Sequence, residues 1–216
     1  ADKGNVEAIF HYASMLHSGI GVPINIEEAV KYYKKGIEKG AQRCMLNYGI
    51  MLHDGEVIPS DKKESARLFK MATNVEQAQY NLATMYLNGD GITVDINEGI
   101  KLMKKAADMG SVDAMFSLAN IYKYGKITPA NYKESAHYFK LAADFGDVRS
   151  MFYYGEMLSE GIAVDINKKK AASYLKRAAD NGFYHAMKNY GIMLIDGEGI
   201  PVDYDEGIRY LEMAET

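Results

Sequence analysis

The sequence predicts an all-α fold: a right-handed α/α superhelix, a solenoid of six antiparallel helix pairs. Three observations predict it. A small residue recurs at Ala13, Gly49, Ala83, Ala119, Gly155 and Gly191, at intervals of 36, 34, 36, 36 and 36 residues. A glycine follows six positions after each one: Gly19, Gly55, Gly89, Gly125, Gly161 and Gly197. Six positions further on stands an Asn or Asp: Asn25, Asp61, Asp95, Asn131, Asn167 and Asp203. A period of this size marks repeat architectures, in which a helix pair buries its apolar face only by stacking on its neighbours.

The first helix of each unit carries a small residue and then large ones at four-residue spacing, as in Ala78, Leu82 and Tyr86, which places them on one face. Ala8, Cys44, Ala114, Ser150 and Ala186 share the register of Ala78 and let a neighbouring helix approach closely. The methionines around them read as core filler, and Cys44 as the occupant of a small buried slot. The glycine ends this helix by accepting a left-handed cap conformation. A short loop follows, often with another Gly or a Pro: Gly21 and Pro23, Pro59, Gly91, Pro129, Gly199 and Pro201.

The Asn or Asp then caps the second helix. Glu28, Glu64, Glu98, Glu134 and Glu206 lie three residues later, a spacing that resembles a capping box. The fifth unit has Lys170 there, so Asp165 is a candidate cap instead and Lys168, Lys169 and Lys170 form a solvated first turn. The second helix carries pairs such as Tyr32-Tyr33, Leu68-Phe69 and Tyr138-Phe139, and closes on a glycine at Gly40, Gly110, Gly146 and Gly182. The second unit is two residues short, and Asn74 is expected to take the left-handed cap there. The whole chain reads as one solenoid domain with repeats at 5–40, 41–74, 75–110, 111–146, 147–182 and 183–216. Residues 1–4 look like the tail of a preceding repeat, which predicts that the parent protein holds more repeats or another domain. Exposed ends of this kind also predict end-to-end self-association.

The segment AQYNLATMYLNGDGITVDINEGIKLMKKAADMG, residues 78–110, closely resembles a Sel-one-like repeat (SLR), as does AMKNYGIMLIDGEGIPVDYDEGIRYLEMA, residues 186–214. The resemblance covers nearly the whole chain. These repeats are relatives of tetratricopeptide repeats with a longer loop between the helices. The resemblance implies an interaction scaffold, since members of the family assemble complexes in quality control, cell-wall synthesis and signalling.

The remaining composition narrows the function. Net charge is −4 and the pI about 5.8, with no basic stripe of the kind that holds nucleic acid. No apolar run is long enough to insert in a membrane. Cys44 is the single cysteine, and there is no glycosylation sequon. A cytoplasmic location is expected, with a lumenal or secreted one as the alternative. The disulfide-rich bacterial relatives linked to β-lactam chemistry carry paired cysteines in each unit, and this chain has none. His11, His17, His53, His137 and His185 show no metal-binding spacing, so no metal, cofactor or catalytic residue is expected. Ser60-x-x-Lys63 and Ser173-x-x-Lys176 lack the companion motifs of a serine–lysine enzyme. The chain is therefore expected to bind a protein or peptide, with a small-ligand or glycan-binding repeat as the alternative.

A partner is expected along the concave face. Two residues before each central small residue stand His11, Asn47, Asn81, Ser117, Tyr153 and Asn189. In tetratricopeptide relatives the matching position faces the groove, where Asn hydrogen-bonds an extended peptide backbone. Asn at this place could equally stabilise the stacking of neighbouring helices. A second row one turn away holds Ser14, Ile50, Thr84, Asn120, Glu156 and Ile192, whose chemistry varies from unit to unit.

Overall fold

The computed structural model describes residues 5–215, and among them are twelve α-helices and no strand. They divide into two compact units, one ending at Ser111 and one beginning at Val112. The first unit holds α1 (Val6–Ser18), α2 (Ile26–Glu38), α3 (Gln42–Asp54), α4 (Lys62–Met71), α5 (Glu76–Asn88) and α6 (Ile96–Asp108). The second holds α7 (Val112–Tyr124), α8 (Tyr132–Asp144), α9 (Val148–Glu160), α10 (Lys168–Asp180), α11 (Tyr184–Asp196) and α12 (Tyr204–Met213). Each odd-numbered helix packs along the even-numbered helix that follows it. Within a unit, each even-numbered helix packs against the next odd one. The tail assigned to residues 1–4 lies outside the described residues.

The chain makes these pairs by repeating one capping device. All six glycines that end the odd-numbered helices have φ between 63° and 75°, a region that costs a residue with a β-carbon. All six Asn or Asp caps accept a hydrogen bond at Oδ1 from the amide three residues on, at 2.9 to 3.2 Å. The fifth unit is no exception. Asn167 caps α10 by accepting from the Lys170 N–H at 2.9 Å, which corrects the assignment to Asp165.

The capping box forms only in half. Its reciprocal bond would run from the cap residue's own N–H to the glutamate. That N–H instead donates to the carbonyl nine residues back on the preceding helix: Asn25 to Leu16, Asp61 to Leu52, Asp95 to Tyr86, Asn131 to Tyr122, Asn167 to Leu158 and Asp203 to Leu194. These bonds are 2.9 to 3.1 Å long and tie the loop down identically six times. Released from the box, Glu64, Glu98 and Glu206 pair with Arg67, Lys101 and Arg209 one turn along their helices.

The shortened second repeat departs from the expected close. Asn74 does not adopt a positive φ. Helix α4 stops at Met71, and the Asn74 N–H donates to Gln42 Oε1 at 2.7 Å. The early stop leaves α4 carbonyls short of donors. Gln79, only 2% exposed, reaches them from α5, its Nε2 lying 3.1 Å from the Ala72 oxygen and 3.4 Å from that of Phe69. The other five repeats carry Ile9, Met45, Met115, Met151 and Met187 at this register, all buried.

Cys44, Ala78, Ala114, Ser150 and Ala186 are fully buried, as the close packing of helices requires. Tyr33, Phe69, Phe139, Leu175 and Tyr210 fill the space between the helices of their units.

Candidate partner-binding face

In the first unit the exposed face of the odd-numbered helices is cut by a cavity of about 400 Å³ between α3 and α5. Asn81, Ile50 and Thr84 line it, three residues picked out by register alone. Asn81 Oδ1 accepts from Gln77 Nε2 at 2.9 Å, and Thr84 donates back to the Tyr80 carbonyl of its own helix at 2.8 Å. Phe69 from α4 and Met85 from α5 supply apolar surface. Asn47 lies outside this cavity, and its Nδ2 donates to the Tyr33 hydroxyl at 3.2 Å. That bond ties α3 to α2, so part of its role is structural. His11 is exposed on α1, 3.6 Å from Glu7 one turn earlier.

The cavity's mouth is held by a cluster that the sequence reading did not single out. His53 Nδ1 meets Asp54 Oδ1 at 2.9 Å, and His53 Nε2 meets Asp90 Oδ2 at 2.8 Å. Lys62, the first residue of α4, meets Asp90 Oδ1 at 2.6 Å. Its hydrogen bond, with that of His53, holds the Asp90 carboxyl below the usual carboxylate range. A loop acid just after the capping glycine thus reaches the first residue of the second helix one repeat earlier. Lys168 and Glu198 repeat the arrangement in the second unit at 2.7 Å. That recurrence, a base after one cap and an acid after the next repeat's glycine, was the available signal.

In the second unit the same face is aromatic and charged. Tyr153 on α9 is half-buried, stacked on Phe139 with ring centroids 5.0 Å apart, and the Lys123 ammonium lies 4.3 Å from its centroid. Glu156, one turn on, is half-buried beside Lys123, and burial pushes its carboxyl above the usual range. Asn189 on α11 donates to Glu156 Oε1 at 3.4 Å. Asn120 Nδ2 donates to the Phe116 carbonyl of its own helix at 2.9 Å, and Ser117 is half-buried beside it on α7. Ile192 is 42% exposed on α11. Among the described residues no group of three His, Cys, Asp or Glu is placed to hold a metal ion, and no helix is long and apolar enough to cross a membrane.

Tandem helix pairs with this loop define a class, the helical-repeat proteins of solenoid type. The model of one family, the Sel1 repeat, matches six times, at residues 6–40, 42–74, 76–111, 112–147, 148–183 and 185–215. The chain belongs to the Sel1 repeat family, whose general role is to serve as protein-interaction scaffolds. A comparison with curated proteins gives no match. Among solved structures, one similar fold is a protective antigen of uropathogenic Escherichia coli strains displaying an SLR fold. It is 24% identical with a TM-score of 0.91, over 99% of this chain and 46% of that one. A Sel1 repeat protein from Oxalobacter formigenes is 24% identical with a TM-score of 0.83, over 99% and 62%. A putative sel1 repeat protein from Klebsiella pneumoniae is 20% identical with a TM-score of 0.54, over 89% and 94%. The chain thus spans less than two thirds of the first two structures it resembles.

Proposed function

We propose that the chain is an adaptor that binds an extended segment of a partner protein along the exposed face of its odd-numbered helices. The observation that carries this reading is the cavity between α3 and α5, which falls where the register places Ile50, Asn81 and Thr84. An extended backbone brought against a protein surface needs partners for its N–H and C=O groups. Side-chain amides such as those of Asn81, Asn120 and Asn189 are suited to supply them. Each such bond contributes roughly 0.5–1.5 kcal/mol. Their neighbours differ in chemistry from repeat to repeat, Ile50 and Thr84 in the first unit and Asn120 and Glu156 in the second, which suits surfaces tuned to a particular partner. The family's general role as a scaffold supports the same reading.

The test uses a partner recovered on the tagged chain and then purified. Replacing Asn47 and Asn81 together by Ala weakens its binding roughly tenfold while the helical fold stays intact. Full-strength binding by the double variant contradicts the reading and moves the partner to the loops or the opposite face. Asn47→Ala alone isolates the contribution of its bond to Tyr33.

A further inference from the structure

The cavity between α3 and α5 has a chemical preference of its own. Ile50 and Tyr80 give it partly apolar walls over a floor of buried Phe69 and Met85, and the charged residues that line it are Asp54, Asp90 and His53. No lysine or arginine lines it. From this arrangement we infer that the cavity receives a basic side chain, lysine or arginine, from the bound partner segment; the inference rests on the adaptor reading above.

Asp54 is the group that takes the cation. Its side chain is 50% exposed, and its Oδ1 meets His53. Its Oδ2 has no partner among the described residues. The Asn88 amide, on the facing helix, has none either. Asp90 plays a different part. Lys62 and His53 hold both of its oxygens, so it fixes the loop at the cavity mouth and stays ionised.

The alternatives fit less well. An acidic anchor would meet the Asp54 carboxylate, while Lys62 at the mouth is already engaged by Asp90. A purely apolar anchor would strip water from Asp54 and Asn88 and leave them without partners, a cost that buried polar groups do not recover. A basic side chain meets both needs. Its methylene stem lies along Ile50 and Tyr80, over the buried floor of Phe69 and Met85, and its head reaches Asp54 while remaining partly in water. The net charge of −4 acts in the same direction, favouring encounter with basic segments.

The test needs no partner protein. The chain, labelled at methionine methyls and backbone amides, is titrated by NMR with acetyl-arginine amide and with its neutral isostere, acetyl-citrulline amide. The expected result is a shift of the Met85 methyl and of the Asp54 and Asn88 amides with the arginine probe, and a response about fivefold smaller with citrulline. Asp54→Asn lowers the arginine response and Asp54→Lys removes it, with circular dichroism melts unchanged because the residue is exposed. Equal responses to the two probes overturn the inference, as do shifts centred elsewhere or a full response from Asp54→Lys. The adaptor reading fails separately, through undiminished partner binding by the Asn47 and Asn81 double variant.

Discussion

Gly36 and Cys44 share one slot: a β-carbon on Gly36 would lie 2.4 Å from Cys44 Sγ and 3.1 Å from Cys44 Cβ. The cysteine is fully buried where α3 meets α2. Its sulfur occupies the space that an alanine methyl would take on α2. At the register of Gly36 the later repeats carry Ala142 and Ala178, followed at the register of Cys44 by Ser150 and Ala186, both smaller than Cys. Gly36→Ala is therefore expected to cost roughly 1–3 kcal/mol through overpacking, despite the better helix propensity of Ala. Adding Cys44→Ala restores most of that loss. A double-mutant cycle by denaturant unfolding measures the coupling, and additive effects would show that the two residues do not compete for space.

Gln79 is the buried polar group whose removal carries the clearest cost. Gln79→Met makes this register like the four that hold Met, yet it takes the Gln79 donor from the Phe69 carbonyl and leaves the Ala72 carbonyl only its 3.3 Å bond from the Val75 N–H. The expected loss is roughly 1–3 kcal/mol, since a buried acceptor left without a partner is not offset by added apolar burial. A variant as stable as the parent would mean that water reaches the end of α4.

The repeat, most helix ends and five of the six loop caps were legible because each depends on a residue type at a fixed spacing, and spacing is what a sequence displays; at the fifth cap Lys170 in place of Glu drew the reading to Asp165. Asn81, Ile50 and Thr84 were legible as one face for the same reason. What was not legible depended on compensation across space. The two-residue deletion in the second repeat suggested a substitute cap at Asn74. The actual remedy came from Gln79, whose glutamine looked like one more variation on a core position. The half-formed capping box was hidden because the competing acceptor lies nine residues back on another helix. The His53–Asp90–Lys62 cluster spans two repeats, and its trace in the sequence, a base after one cap and an acid after the next repeat's glycine, joins residues 28 positions apart.

Ala163 has φ of 57°, the one non-glycine residue at positive φ among those described. At its loop register three other repeats use Gly21, Gly91 and Gly199, with φ of 75° to 77°. Ala163→Gly removes that strain, while the unfolded chain gains freedom. The balance is expected to stabilise the chain by about 0.5–1 kcal/mol. Differential melting against the parent decides the sign, and a lower melting point refutes the assignment of strain.

Glu156 links stability to pH. Burial raises its carboxyl in the folded chain, so over the window between the unfolded value, about 4.3, and the folded one the native state holds the extra proton. Its contribution therefore weakens as pH rises through that window. Glu156→Gln is expected to melt above the parent at neutral pH, with the difference shrinking once the parent's carboxyl is protonated in acid. A difference that stays constant with pH would place the origin of the effect outside this carboxyl.

The central claim is that a partner lies on the exposed face of the odd-numbered helices. Hydroxyl-radical footprinting of the chain, free and bound to its purified partner, tests it most directly. The account predicts protection at Ile50 and Tyr80 beside the first-unit cavity and at Tyr153 in the second unit. Exposed loop residues such as Val57 and Val94 should keep their reactivity. Protection confined to those loop residues, with Ile50, Tyr80 and Tyr153 as reactive as in the free chain, would contradict it.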